Sequence, residues 1–287
     1  MISVFADDIQ EVKNKKMIKT SFLINIIIHL LFLYNLSAME MMDKVKILKE
    51  MIEKSNKILF FTGAGISTNS GIADYRGPNG IWKVREPVYF DEFLGSDFKK
   101  IEYWDYMLEG RKFFKSAKPN RAHYSIVEIE KRNKLLSVIT QNIDGLHLKA
   151  GTSKEKLIEL HGNNSKAICL SCKNLYDIDD VLKKFQENRV PPKCHCGGYL
   201  KPDVVMFGES LDTKKLSDAF RIAEDCDLCI SIGSSLFVQP ASLVVLRAWE
   251  KRKPLVIVNI GDTEYDEIAT LKINYDCEEV LAISILE

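Results

Sequence analysis

The most constraining feature of this chain is an abrupt change of character at Thr62. Ile58, Leu59, Phe60 and Phe61 form an apolar run, and Gly63, Ala64 and Gly65 follow at once. The run reads as a buried strand, and the small residues after it read as a turn that feeds a helix. Where a strand ends at glycines and a helix begins, free backbone N–H groups and the helix dipole converge on one spot and hold pyrophosphate. The loop is therefore expected to hold a dinucleotide. Glycines here also serve plain helix–sheet packing. The continuation favours the ligand reading: Ser67, Ser70, Gly71, Asp74 and Arg76 keep polar and charged side chains beside the loop, which a packing turn does not need.

With 287 residues, 46% hydrophobic and 28% charged, the chain has room for one main domain with an insertion. Its 40 basic and 40 acidic residues cancel. No long-range attraction to nucleic acid or to an anionic membrane is expected. Of seven cysteines, four sit in two close pairs, the pattern of a metal site rather than of a secreted disulfide framework, which points to a reducing cytoplasm.

Residues 1–42 form an extension unlike the rest. Lys13, Lys15, Lys16 and Lys19 precede an apolar run, 22–36, interrupted by Asn25, His29 and Asn35 and followed by Ser37 and Ala38, as in a signal peptide. The run is short for a bilayer-spanning helix, and its polar side chains would be costly there. Met39, Met41 and Met42 stand just before the first amphipathic helix, 43–55. An extended reading of the start site is preferred to an anchor, and no membrane is expected for the catalytic part, 43–287.

Downstream, a Gly- and Pro-rich loop, 77–82, leads to a helical insert within 88–118, with an aromatic helix over 98–114. Asn120 is placed to cap a helix through 132, and 135–139 reads as a second buried strand. That strand ends in Gln141, Asn142, Ile143 and Asp144; a third, 156–160, ends at His161 and Gly162. In open α/β sheets ligands bind at the carboxyl ends of strands, so these polar residues belong to a site. Strands at 227–232 and 255–260 alternate with helices at 213–224 and 241–252, the pattern of parallel βαβ units. They end in Gly233, Ser234 and Ser235 and in Asn259 and Ile260, residues suited to the adenosine half of a dinucleotide. The fold class is thus α/β, a Rossmann-type parallel sheet domain with a smaller metal-binding module inserted.

That module, 166–202, carries Cys169 and Cys172 as C-x-x-C and Cys194 and Cys196 as C-x-C. Two thiolate pairs can close a tetrahedral structural zinc site. The second pair is one residue tighter than usual, which leaves open strain or a contribution from His195. Cys226 and Cys229 lie in an apolar run and read as core, on opposite faces of a strand.

GAGIS, SGI, DYR, TQNIDGLH, HGN, two cysteine pairs, PDVVMFGE, GSSL and VNIG, in this order, resemble the sirtuins, the NAD-dependent protein deacylases. The resemblance spans nearly everything but the extension. It implies NAD binding by Gly63, Ala64, Gly65, Thr68, Tyr75, Arg76, Gln141, Gly233, Ser234, Ser235, Asn259, Ile260, Asp276 and Cys277. Asn142, Ile143 and Asp144 would line the nicotinamide pocket, with Asn142 catalytic. His161 would be the base acting on the ribose hydroxyls, and Val204, Val205, Phe207, Gly208 and Glu209 would pair with the substrate peptide. The implied activity removes acyl groups from protein lysines, giving nicotinamide, O-acyl-ADP-ribose and free lysine. Tyr75 departs from the Phe most members carry. Neither Tyr103 nor Tyr106 has an Arg three residues on, the signature of members preferring acidic acyl groups, so acetyl or another neutral acyl group is expected. A mono-ADP-ribosyltransferase and a non-catalytic NAD sensor are the rival readings; the presence of Asn142 and His161 favours deacylation.

Overall fold

The structure, a computed structural model, describes residues 39–74 and 86–287. The chain divides into two compact units, 1–46 and 47–287. Helix α1 covers residues 39–54, and its turns within the second unit bury Leu48 and Ile52 completely. Among the described residues the second unit has nine strands: β1 (Ile58–Thr62), β2 (Leu135–Thr140), β3 (Leu157–Glu159), β4 (Gly162–Cys169), β5 (Leu175–Asp177), β6 (Leu200–Val204), β7 (Leu228–Ile232), β8 (Leu255–Val258) and β9 (Leu271–Ile273). Its further helices are α2 (Phe90–Gly95), α3 (Asp97–Ser116), α4 (Arg121–Lys131), α5 (Leu146–Ala150), α6 (Ile178–Asn188), α7 (Thr213–Asp225), α8 (Leu243–Glu250) and α9 (Cys277–Leu281).

Six strands form one parallel sheet in the order β3-β2-β1-β7-β8-β9. The strand order reverses at β1, whose carboxyl end is the switch point at which such sheets take ligands. Every residue of β1 and of β7 is buried, because helices cover both faces. Leu59 and Phe61 pack with Cys226, Cys229, Val244, Val245 and Ile257 on one face. The Cys226–Cys229 pair therefore shares one core cluster instead of dividing between two faces, since Cys226 ends α7 and only Cys229 lies within the strand.

Between β3 and β7 the chain makes a second, antiparallel sheet, β5-β4-β6, onto which α6 packs. Its core merges with that of the helical insert: Phe93, Trp104, Ala167, Cys169, Ile178, Phe185, Leu200 and Met206 form one cluster. The Arg111 guanidinium grips Asp179 with two bonds, Nε to Oδ1 at 2.7 Å and Nη2 to Oδ2 at 3.0 Å. That pairing, with Lys115 beside it, holds the Asp179 carboxyl down to about 2.

Three local features differ from the sequence reading. After Gly63 the chain forms a 3₁₀ turn, Ala64–Ser70, ended by Gly71 at φ 83°, and not an α-helix. The cysteine module contains a full helix, α6, whose Val181, Leu182 and Phe185 face the core. Beyond β8 the sheet gains β9, and helix α9 follows it; both are below the length at which periodicity speaks. Among the described residues, no helix is long and apolar enough to cross a membrane. The Gly- and Pro-rich loop, Tyr75 and Arg76 lie outside the described residues, as does the extension up to residue 38.

Candidate active site

Register brings the site together. Thr62 pairs with Thr140 on one side and with Ile232 on the other, Thr140 pairs with Glu159, and Ile232 pairs with Val258. The strands thus finish level, and the residues after them emerge side by side from distant parts of the chain. A cleft of about 500 Å³ opens there, within the roughly 300–1,000 Å³ usual for small-molecule sites. Gly63, Ala64, Gly65, Gln141, Asn142, Ile143, His161, Gly233, Ser234, Ser235, Asn259 and Ile260 line it, and so do Val204, Val205, Phe207, Gly208 and Glu209.

The glycines of the loop serve backbone packing first. A Cβ on Gly65 would stand 2.7 Å from the Gly233 Cα, and one on Gly63 would stand 2.8 Å from the Gly233 carbonyl oxygen. Two of the N–H groups expected to face a phosphate are engaged instead: Gly63 donates to Ile232 O at 3.0 Å and Gly65 to Gly233 O at 2.8 Å. They stitch the loop onto β7, which is why it winds tightly. Gln141 Nε2 donates to Ser234 Oγ at 2.8 Å and crosses from one strand end to another.

Thr68, Asp144, Asp276 and Cys277 are not among the described lining residues. Asp144 is buried behind Asn142, where Ser67 Oγ donates to its Oδ2 at 2.7 Å and the Leu146 N–H to its Oδ1 at 2.8 Å. Burial raises its pKa above the ordinary carboxylate value, and these two bonds partly offset that. Asp276 caps α9 by accepting from the Glu278 and Glu279 N–H groups, and Asn69 Nδ2 donates to it at 3.1 Å. Cys277 Sγ donates to Gly65 O at 3.4 Å. Thr68 is exposed, its hydroxyl turned back to Gly65 O at 3.0 Å.

Asn142 Nδ2 donates to Gly63 O at 3.0 Å and reaches Ser67 Oγ at 3.3 Å, so the side chain is held from the loop side. His161 lines the same cleft, with Nδ1 2.9 Å from the Gln141 carbonyl oxygen. A carbonyl only accepts, so Nδ1 carries the proton and Nε2 is left basic. Burial lowers the His161 pKa and the bond to Gln141 partly restores it, with the net shift below the ordinary 6.5; the ring is neutral at pH 7.

The segment after β6 forms the wall that adjoins His161. The Val205 N–H donates to His161 O at 2.8 Å, and the Phe90 N–H to Phe207 O at 2.8 Å, beside a bridge between Tyr89 and Phe207. A residue absent from the sequence reading braces it. The buried Lys201 ammonium donates to Val204 O at 2.6 Å and to Glu209 Oε2 at 2.9 Å, while the same oxygen accepts from the Met206 N–H at 3.0 Å. A lysine inside a strand preceding PDVV gave a faint signal, since an ammonium buried there needs partners.

A family model described as the Sir2 family matches residues 63–240. The chain belongs to the Sir2 family. An NAD-dependent protein deacetylase of Sulfurisphaera tokodaii is 45% identical over 234 residues, 81% of this chain and 91% of that protein. Its counterpart in Thermotoga maritima is 41% identical, covering 82% and 95%. Among solved structures, a Sir2 complex with a p53 peptide and NAD+ superposes with a TM-score of 0.75 at 38% identity, covering 82% of this chain and 94% of that one.

In this Sir2-family chain the four cysteines expected to hold a metal do come together. Their Sγ atoms all lie within 4.8 Å of one another, with Cys169 to Cys196 and Cys172 to Cys194 each at 3.6 Å. Zn–S bonds of about 2.3 Å in a tetrahedron set sulfurs roughly 3.8 Å apart, so the cluster fits zinc. The tight C-x-C pair contributes both thiols. The exposed His195 stands outside the cluster, its ring 6.2 Å from that of Tyr176. The Cys196 N–H, followed by the Tyr176 hydroxyl at 2.9 Å, brings the Cys194 thiol down to about 6. At Cys172 the Asn174 N–H pulls downward, yet the thiols of Cys196, Cys169 and Cys194 push it up to about 12. Four thiols this close ionise together only around a cation.

Proposed function

We propose that this chain removes acetyl or other neutral acyl groups from protein lysines using NAD and one water, releasing nicotinamide, O-acyl-ADP-ribose and free lysine. The observation that carries the reading is His161: a neutral imidazole, its Nδ1 proton committed to Gln141 and its Nε2 basic, in one cleft with Asn142. A binding module has no use for such a base. Family relatives named as NAD-dependent protein deacetylases, and solved Sir2 structures with acetylated peptide, support the same reading.

Bound NAD supplies an ADP-ribosyl group whose bond to nicotinamide is the one broken. The chain's residues bind and orient. Gly63, Ala64, Gly65, Thr68 and Arg76 border the phosphate side, and Tyr75 is assigned to the reactive ribose. Gln141, Gly233, Ser234, Ser235, Asn259, Ile260, Asp276 and Cys277 take the rest of the nucleotide or position its loop. Asn142, Ile143 and Asp144 form the nicotinamide pocket, and His161 Nε2 accepts a proton from a ribose hydroxyl. Base catalysis of this kind contributes about a hundred- to ten-thousand-fold. Val204, Val205, Phe207, Gly208 and Glu209 offer backbone to an extended peptide, so recognition makes few demands on side chains. Cys169, Cys172, Cys194 and Cys196 hold a structural zinc ion. We place the work in the cytoplasm, where NAD and acylated proteins are at hand.

Incubating the protein with an acetyl-lysine peptide and NAD, with mass spectrometry of all products, tests this. Deacetylated peptide and O-acetyl-ADP-ribose in equal amounts are expected. ADP-ribose attached to protein, with the peptide still acetylated, would overturn it in favour of an ADP-ribosyltransferase.

A further inference from the structure

Beneath the cleft floor runs a line of buried polar side chains that the proposed chemistry does not use. Thr62 and Thr140 face each other where β1 and β2 end, and the Thr62 hydroxyl donates to Thr140 Oγ1 at 2.8 Å. Thr140 Oγ1 also accepts from the Asn142 backbone N–H at 3.0 Å. Its hydrogen already given to Thr140, Thr62 Oγ1 accepts, and its other neighbour is His147 Nε2 at 2.9 Å. His147 therefore carries its proton on Nε2, and its Nδ1 is a buried nitrogen without a partner. His123 lies against it, ring centres 5.0 Å apart, and Asn120, bonded to the His123 ring, donates its Nδ2–H to Ile66 O at 2.7 Å.

A fully buried histidine that were only filler would be replaceable by an apolar side chain of similar size, and this site would be better packed for it. Here the ring ends a continuous line of donors: His147 to Thr62, Thr62 to Thr140, with Thr140 receiving Asn142. Burial keeps it neutral, as the line needs, since it lowers the His147 pKa well below 6.5 and that of His123 to about 4.

We infer that His147 is a positioning residue for Asn142, acting through the hydroxyls of Thr62 and Thr140 to hold the Asn142 backbone while Gly63 and Ser67 hold its side chain. The functional weight of Asn142 rests on the reading given under Proposed function. The positioning itself does not. With either anchor lost, the Asn142 amide keeps one restraint out of two, and its average placement in the cleft broadens.

The test compares His147→Leu, which keeps volume and loses the donor, with His147→Gln, which keeps an N–H donor. In ligand-free protein, exchange of the Asn142 amide hydrogen is read against that of Ile139 in β2, the strand that leads into it; with acetyl-lysine peptide, kcat and the KM for NAD are read. Losing one buried hydrogen bond is worth about tenfold. His147→Leu should therefore speed Asn142 exchange about tenfold with Ile139 unchanged. It should lower kcat about tenfold with the KM for NAD within about twofold, and His147→Gln should recover most of both. Equal acceleration at Ile139, or a Gln variant no better than Leu, would make His147 a purely structural residue. Should His147→Leu fail to fold, Thr62→Val cuts the same line at its next link and must show the same exchange pattern; unaltered Asn142 exchange there overturns the inference. Wild-type protein that leaves acetyl-lysine intact would sink the proposed function while the exchange result stands.

Discussion

The parallel sheet and the cysteine module hold their residues by opposite means. In the sheet, β1 and β7 are buried on both faces, and the site is a set of polar side chains hung on the ends of an apolar frame. In the module, β5 has only three residues, two of them exposed, and the core is shared with α2 and α3. Four thiols occupy the place where more core would stand. Removing a site residue from the first region should thus alter chemistry and leave the fold; removing one from the second should alter the fold and, through it, the chemistry.

The largest expected effect lies in the module. Cys169→Ser should release zinc, lower the melting temperature and abolish activity, since β6 leads directly from the cluster into the Val204–Glu209 wall. Metal analysis alongside thermal melting checks it; a folded, active, zinc-free variant would erase the contrast. Next comes His161→Ala, expected to lose about a hundred- to ten-thousand-fold in kcat while melting like the wild type. A variant that melts much lower would move His161 to the structural side.

A milder effect concerns pH. Because the His161 pKa lies below 6.5, the basic form dominates above that value and is lost as pH falls through the lowered pKa. The acid limb of kcat/KM for the free enzyme should accordingly fall below pH 6.5, with a plateau above; an inflection above 6.5 would mean that the ring is more exposed or more strongly paired than described. The smallest effect tests the joint between the helical insert and the module. Asp179 is depressed from 3.8 to about 2, so its pairing with Arg111 is fully present above 3.8 and disappears as pH drops through about 2. Its side chain is 37% exposed, so solvent screens much of the pair. Asp179→Asn should cost on the order of 1 kcal/mol at pH 7 by urea denaturation, and the gap to wild type should close near pH 2.

The two regions also differ in how far they could be read from residues alone. The apolar strands broken by glycine or polar residues were legible because a strand buried on both faces must be a nearly continuous apolar run, and a sheet of such strands takes ligands at one edge. Asn142, His161 and the Ser234 turn were marked by that rule, and the four cysteines by metal spacing. Helix α6 is less legible although Val181, Leu182 and Phe185 keep helical period, because metal spacing in the flanking cysteine pairs speaks for knuckles and says nothing of the segment between them.

What sequence by itself determined is the set of elements and the residue types at their ends, since burial and backbone hydrogen bonding act on every stretch locally. Only the tertiary structure decided which atoms meet. Whether Gly63 and Gly65 offer their N–H groups to a ligand or to β7 depends on how closely Gly233 approaches them. Whether Cys194 and Cys196 complete the cluster depends on the pairing of β4 with β6, Cys169 opposite Leu200, which brings the two cysteine-bearing segments together and sets four sulfurs within 4.8 Å. The Lys201 brace closes within residues 201–209 and needs the chain to turn after β6, whereas the line from His147 to Asn142 depends on strand register, which pairs residues 78 positions apart such as Thr62 and Thr140. Hydrogen bonds reach about 3 Å, and no spacing along the chain states a distance that short between residues so far apart in it.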